Sequence, residues 1–195
     1  MVWDALGNDA KDQNSKSRER LIGVYIGILA VLLALCTLGG GNSTKDATLK
    51  NIEASNTWGF FQAKNMRRHV LRLQADNLEL RLATETGLTD AGKDAIRAKI
   101  KSYKDQDDAL TKGPEGLDGL FAKGKALEAE RDVAMKRDPY FDYGTAFLQI
   151  AIVLASVAIV TDGTVVLLAS LVIAALGVLM TLNGFTLAIA VPFMG

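Results

Sequence analysis

The chain has little of what reactive sites are built from. It holds one cysteine, Cys36, and one histidine, His69, among 195 residues. A lone thiol makes neither an intrachain disulfide nor a cysteine metal site. One His and one Cys cannot furnish a Ser-His-Asp or Cys-His catalytic set, and no glycine-rich phosphate loop or metal-ligand spacing occurs. Charge of neither sign dominates, since 22 Lys and Arg stand against 22 Asp and Glu. The two signs are mixed through the middle of the chain, with no basic stripe of the kind nucleic acid requires. The expectation is a protein with no catalytic residue, no cofactor, no metal and no nucleic-acid partner.

Long apolar runs are what the sequence has in quantity. Leu21 to Leu38 carries no charge. At about 1.5 Å per residue it reaches roughly 27 Å, close to the hydrocarbon thickness of a bilayer. It starts too far along, and runs too long, for a typical secretory signal, and it lacks a clear small-x-small cleavage site. A retained transmembrane helix is expected at 21–38, behind a polar tail at 1–20 that is either mobile or a short interfacial helix touching the membrane through Trp3 and Leu6. Cys36 reads as a small membrane-facing residue. Gly23 and Gly27 form a small-xxx-small pair that lets helix backbones approach closely.

From Gly144 to Gly195 the only charged residue is Asp162. The turn chemistry of Thr161-Asp162-Gly163-Thr164 divides this run into two spans, about 144–160 and 165–182, so a transmembrane hairpin is expected over 144–184. Small residues line each span: Ala151, Ala155 and Ala158 on one, Ser170, Ala174, Gly177 and Thr181 on the other. An apolar tail, 185–195, contains Pro192 and is too short for a fourth span. No ionisable residue stands mid-span, which argues against a proton- or ion-coupled transporter. Gln149 is the one amide in the second span and wants a hydrogen-bonding partner on another helix.

Between the membrane runs lies a polar domain, 39–143, with helices expected at about 43–86, 90–110 and 117–137. A Gly39-Gly40-Gly41-Asn42 break should precede the first, capped by Ser43 or Thr44. Its apolar positions, Leu49, Ile52, Asn56, Gly59, Ala63, Met66, Val70, Leu73, Asn77 and Leu80, alternate steps of three and four, a heptad seam built for another helix. Asn56 and Asn77 share one heptad position, where a buried amide fixes register and oligomer state. Trp58, Phe60 and Phe61 cannot all face one seam, so this level should touch more than one helix. Gly87 reads as a helix stop and Thr89 as the next N-cap. Asp138-Pro139 disfavours helix before the proline. Tyr140, Phe141 and Tyr143 then stand where an aromatic belt would meet a bilayer.

The fold class that follows is all-α, with three transmembrane helices and a coiled-coil-like helical bundle between the first and second. Basic residues before the first span place the N-terminus on the cytoplasmic side and the helical domain on the other.

Two segments carry a family resemblance. Ala54-Ser55-Asn56-Thr57-Trp58-Gly59-Phe60-Phe61-Gln62-Ala63-Lys64 resembles the Ala-Ser-Asp-Gln-Trp-Ala-Phe-Tyr-Gln-Ala-Lys block of the domain-of-unknown-function 4337 family. Phe147-Leu148-Gln149-Ile150-Ala151-Ile152 resembles the start of that family's second span. The resemblance implies a bacterial inner-membrane protein with three spans, and it brings no catalytic residues with it. The chain departs from the family in its turn at Thr161–Thr164, which is not basic, and in lacking a histidine-rich tail before the first span.

The function expected is structural. The partners are the lipid bilayer and either further copies of the chain or a larger membrane complex to which it is an accessory subunit. The alternative is an oligomeric channel or transport component lined by Gln149 and Thr181. The residues expected to make the helix contacts are Gly23, Gly27, Leu49, Ile52, Asn56, Trp58, Gly59, Phe61, Ala63, Met66, Val70, Leu73, Asn77, Leu80 and Gln149.

Overall fold

The structure is a computed structural model that describes the backbone of residues 2–190 and the side chains of residues 16–190. The side chains of Trp3 and Leu6, and Pro192 altogether, therefore lie outside the described residues, while the backbone of the expected tail continues α1 from Val2. Four helices and no strand make up the described chain: α1 (Val2–Thr84), α2 (Asp90–Thr111), α3 (Leu117–Thr161) and α4 (Thr164–Thr186). α1, α3 and α4 each contain a stretch long and apolar enough, by length and composition, to cross a membrane. The chain divides into two compact units, Met1–Ala47 with Asp132–Gly195, and Thr48–Arg131.

Two expected breaks are absent. α1 passes through Gly39-Gly40-Gly41-Asn42 without interruption. The glycines serve close packing instead. A Cβ on Gly39 would stand 2.5 Å from Cε1 of Phe141, and one on Gly40 would stand 3.1 Å from the Phe141 Cβ. Ser43 and Thr44 are accordingly inside the helix and cap nothing. The Thr44 hydroxyl bonds the Gly40 carbonyl and reaches Asp138 at 2.8 Å. α3 likewise carries Pro139 within it. The residues that follow, Tyr140 and Phe141, are buried, and their packing outweighs the local preference of the residue before proline. Phe141 is thus a core residue and no part of an aromatic belt, whereas Tyr143 is exposed.

Within the first unit the small-residue faces meet. Ala151, Ala155 and Ala158 of α3 are fully buried, and Ser170, Ala174, Gly177 and Thr181 of α4 are buried with them. A Cβ on Gly177 would fall 2.9 Å from Leu148, and one on Gly144 would fall 2.9 Å from the Cys36 sulfur. Such contacts let helices touch at backbone distance, where dispersion between closely packed atoms accumulates. Leu29, Cys36, Phe141, Leu148, Ala151 and Ala174 form one apolar cluster. Cys36 belongs to this core and does not face outward as its small size suggested.

Ser170 donates to the Ala151 carbonyl at 2.7 Å, and its oxygen lies 3.1 Å from the Tyr25 hydroxyl, so α1, α3 and α4 share one polar node. The α3–α4 turn is closed by Asp162 at φ 50, a left-handed position that Asp tolerates. Arg18 of α1 pairs with the Asp162 carboxylate and also bonds its carbonyl at 3.1 Å. At its far end α4 stops at Leu187, also left-handed. Asn183, in the last turn of α4, donates to the carbonyl of Ile189 beyond it and accepts from the Ile189 N–H, and Tyr140 adds a bond to the same carbonyl.

Candidate interaction surface

The second unit is built on the middle of α1, whose two faces carry different chemistry. One face reads Ala54, Thr57, Phe61, Lys64, Arg68, Leu71, Ala75, Leu78 and Leu82, all buried or half-buried. These residues also recur in steps of three and four, so α1 carries two heptad stripes, roughly opposite one another on the helix. The inner stripe, unnoticed in the sequence, is the one that packs within the chain.

Its contacts fall at two levels. At the first, Trp58 stands edge-on to both Phe61 and Phe121 at 5.6 Å between ring centroids. Gly124 of α3 is what admits the indole, because a Cβ there would be 2.9 Å from the ring. The Trp58 N–H donates to Glu128 at 2.9 Å, and Lys125 bonds the same carboxylate at 2.8 Å. The Lys125 ion pair first, and the indole N–H second, hold the Glu128 carboxyl below its usual range. At the second level Asp107 of α2 lies between Arg72, at 2.9 Å, and Arg68, at 3.7 Å. Lys104 pairs with Glu79 at 2.7 Å, and that bond raises the lysine above its ordinary value. α2 itself begins with Thr89 accepting from the Gly92 N–H at 3.2 Å, the N-cap expected of it.

These clusters tie helices together and leave little for a ligand. A shallow cleft of about 180 Å³ lies between α1 and α2, lined by Leu71, Arg72, Ala75, Asp76, Tyr103, Lys104 and Asp107. Arg72, Asp107 and Lys104 already engage one another or Glu79. Among the described residues no group of three or more His, Cys, Asp or Glu could hold a metal. Cys36 donates to the Phe141 carbonyl at 3.3 Å and accepts from Thr145 at 3.4 Å, inside the core of the first unit. His69 is exposed on α1.

The outer stripe is the surface left over. Leu49, Ile52, Asn56, Gly59, Ala63, Met66, Val70, Leu73, Asn77 and Leu80 are all exposed. Met66 is 67% exposed and Leu73 61%, values that no intramolecular helix contact allows. The expected seam therefore does not pack against α2 or α3. Trp58 and Phe61, by contrast, turn inward. A Cβ on Gly59 would meet nothing within 4 Å, and the same holds for Gly23 and Gly27, so neither glycine site is used inside the chain. Gln149 is exposed on α3, while Thr181 is buried and bonds the Gly177 carbonyl of its own helix. The two polar groups do not line a common surface of one chain. The same three-four register continues backward through Leu21, Val24, Ile28, Val31, Leu35 and Leu38, again all exposed.

Neither the curated proteins nor the solved structures contain a match to the chain. The model of one protein family, described as a domain of unknown function, matches residues 18–187. That span takes in α1 from Arg18 onward and the whole of α2, α3 and α4, including both the Trp58 level and the Leu148 core. The chain belongs to the domain-of-unknown-function 4337 family.

Proposed function

We propose that this protein is a three-span membrane protein with a structural, non-enzymatic role, which it performs by helix packing with further copies of itself or with a larger membrane complex. The observation that carries this reading is the outer stripe of α1, an apolar heptad face with no partner inside the chain. Soluble surfaces seldom expose so long a contiguous apolar track without a use for it. The exposed Gln149, an amide on an otherwise apolar stretch, adds a second group in want of a partner. The polar clusters support the same reading, since their carboxylates and cations are spent on holding α1, α2 and α3 together. The membrane in question is the bacterial inner membrane, with the N-terminus cytoplasmic and the polar helices in the periplasm. The basic residues before Leu21 support that orientation.

Amine-reactive cross-linking in native membranes, followed by mass measurement in mild detergent, tests the proposal. Oligomers or a co-purifying complex are expected. A chain that stays monomeric and partnerless under both conditions defeats it. The channel reading rests on Gln149 alone. It requires ion or solute flux from liposomes holding the assembled protein, and silence there removes it.

A further inference from the structure

We propose that the outer stripe of α1 seats the same stripe of a second copy of this chain, parallel and in register, with Asn56 meeting Asn56 and Asn77 meeting Asn77 across the pair. The inference rests on the self-association reading above and specifies its geometry.

The stripe has the spacing of a two-stranded seam. Leu49, Asn56, Ala63, Val70 and Asn77 occupy one core position of the heptad, and Ile52, Gly59, Met66, Leu73 and Leu80 the other. A repeat of about 3.5 residues keeps such a seam facing one partner along its length. A lipid surface or a loosely apolar groove needs no strict heptad and gains nothing from two amides in the seam. Both Asn side chains are exposed in the single chain. Buried against an apolar helix, each would lose its water without replacement, at a cost that buried amides do not bear unpaired.

Only one arrangement spares them. In the antiparallel register that centres the stripe, Asn56 faces Leu73 and Asn77 faces Ile52, so both amides go unpaired. In a parallel pair shifted by one heptad, Asn56 faces Ala63 and Asn77 faces Val70. With no shift, each Asn faces its own counterpart, and two amides hydrogen-bond side by side. A copy of the same chain supplies this match automatically. Two copies inserted the same way in one bilayer also present their first helices in the same direction, as the parallel pair needs.

The flanking positions agree. In the parallel register Asp76 of one copy comes opposite Arg81 of the other, Gln62 opposite Arg67, His69 opposite Gln74 and Thr48 opposite Glu53. No like charges meet, and one opposite pair forms. Phe60, 67% exposed, flanks Gly59 and comes opposite Ser55, supplying the volume that the glycine lacks.

Single cysteines placed in the full-length chain, oxidised in native membranes, test the geometry. Val70→Cys and Leu73→Cys each put two thiols in the seam of a parallel pair. Each is expected to yield a disulfide-linked band of doubled mass, whereas Asp105→Cys on the exposed surface of α2 yields none. The native Cys36 is buried in the core and supplies the background in the unsubstituted chain. If Asn56→Cys and Leu73→Cys cross-link only when the two variants are mixed, the pair is antiparallel and the inference is overturned. If no stripe cysteine cross-links while amine-reactive reagents still capture oligomers, self-association stands and this seam is wrong. If neither chemistry captures anything, both readings fall.

Discussion

Phe141 stands against Gly39 so closely that a Cβ on the glycine would lie 2.5 Å from its Cε1. A Cβ on Gly184 would also come within 3.0 Å of the ring, one on Gly40 would stand 3.1 Å from the Phe141 Cβ, and Phe185 meets the ring edge-on at 4.9 Å between centroids. The triple glycine, which looks like a helix break, is a slot cut into a continuous helix for one aromatic side chain.

Gly39→Ala is therefore expected to destabilise the protein, although alanine is the better helix former. The overpacking cost, about 1–3 kcal/mol, outweighs the propensity gain of about 1 kcal/mol. Gly41 supplies the control, because a Cβ there would meet nothing within 4 Å. Gly41→Ala is expected to raise stability by about 0.5–1 kcal/mol. Thermal unfolding of the two variants in the same detergent should move in opposite directions. Equal shifts of one sign would show that the slot is not there.

Glu128 makes a pH prediction. Lys125, and after it the Trp58 indole, hold its carboxyl below the usual range. A folded-state pKa lower than the unfolded one gives a contribution that is full above the ordinary carboxylate value. It is lost as the pH falls through the depressed value, because the unfolded chain takes up the proton first. Acidification should thus loosen the Trp58–Phe61–Phe121 level, and Trp58 fluorescence should report it. In Glu128→Gln the loss on acidification should be smaller, with stability at neutral pH already reduced. An unchanged acid profile would mean that the Lys125–Glu128 pair does not link to folding.

Asp107 makes a charge-removal prediction. It is the anion between Arg72 and Arg68, and its side chain is only 16% exposed. Asp107→Asn leaves Arg68, itself mostly covered at 22% exposure, beside a neutral amide. Stripping one partner from a partly buried pair costs about 1–3 kcal/mol, less than for full burial because water still screens the site. The drop should appear in denaturant unfolding followed by circular dichroism. The double variant with Arg68→Leu should recover part of the loss, since it removes the stranded cation.

Much of this architecture is legible in the sequence, and the unread parts have a common cause. The turn at Thr161–Thr164, the Thr89 cap and the small faces of α3 and α4 all rest on local chemistry, which travels with the residues themselves. The continuity of α1 through Gly39 and of α3 through Pro139 does not. It depends on Phe141 and Tyr140 being buried by residues distant in the chain. The phase of the packed face of α1 is harder still. Leu49–Leu80 is the more apolar of the two heptad stripes, yet the inward stripe is the one with Ala54, Thr57 and Ala75, because close helix packing selects small side chains. Periodicity shows that a seam exists, whereas which of two seams is filled from within depends on the shapes of α2 and α3.

The amides of the outer stripe offer the last prediction. In a parallel pair, Asn56 and Asn77 are paired but still cost stability relative to leucine, by about 1–2 kcal/mol per buried polar group. What they confer is a single register and a single copy number. The double variant Asn56→Leu with Asn77→Leu should therefore form a stronger association that resists dissociation at higher detergent or temperature. It should also lose uniformity, with species beyond the dimer appearing in mass measurement and with disulfide trapping no longer confined to matched positions. Substituting Lys for both should instead abolish association, since two ammonium groups would be driven together in an apolar seam. A chain indifferent to both substitutions would have its Asn side chains in water, and the stripe would then be a lipid-free surface with no partner of its own kind.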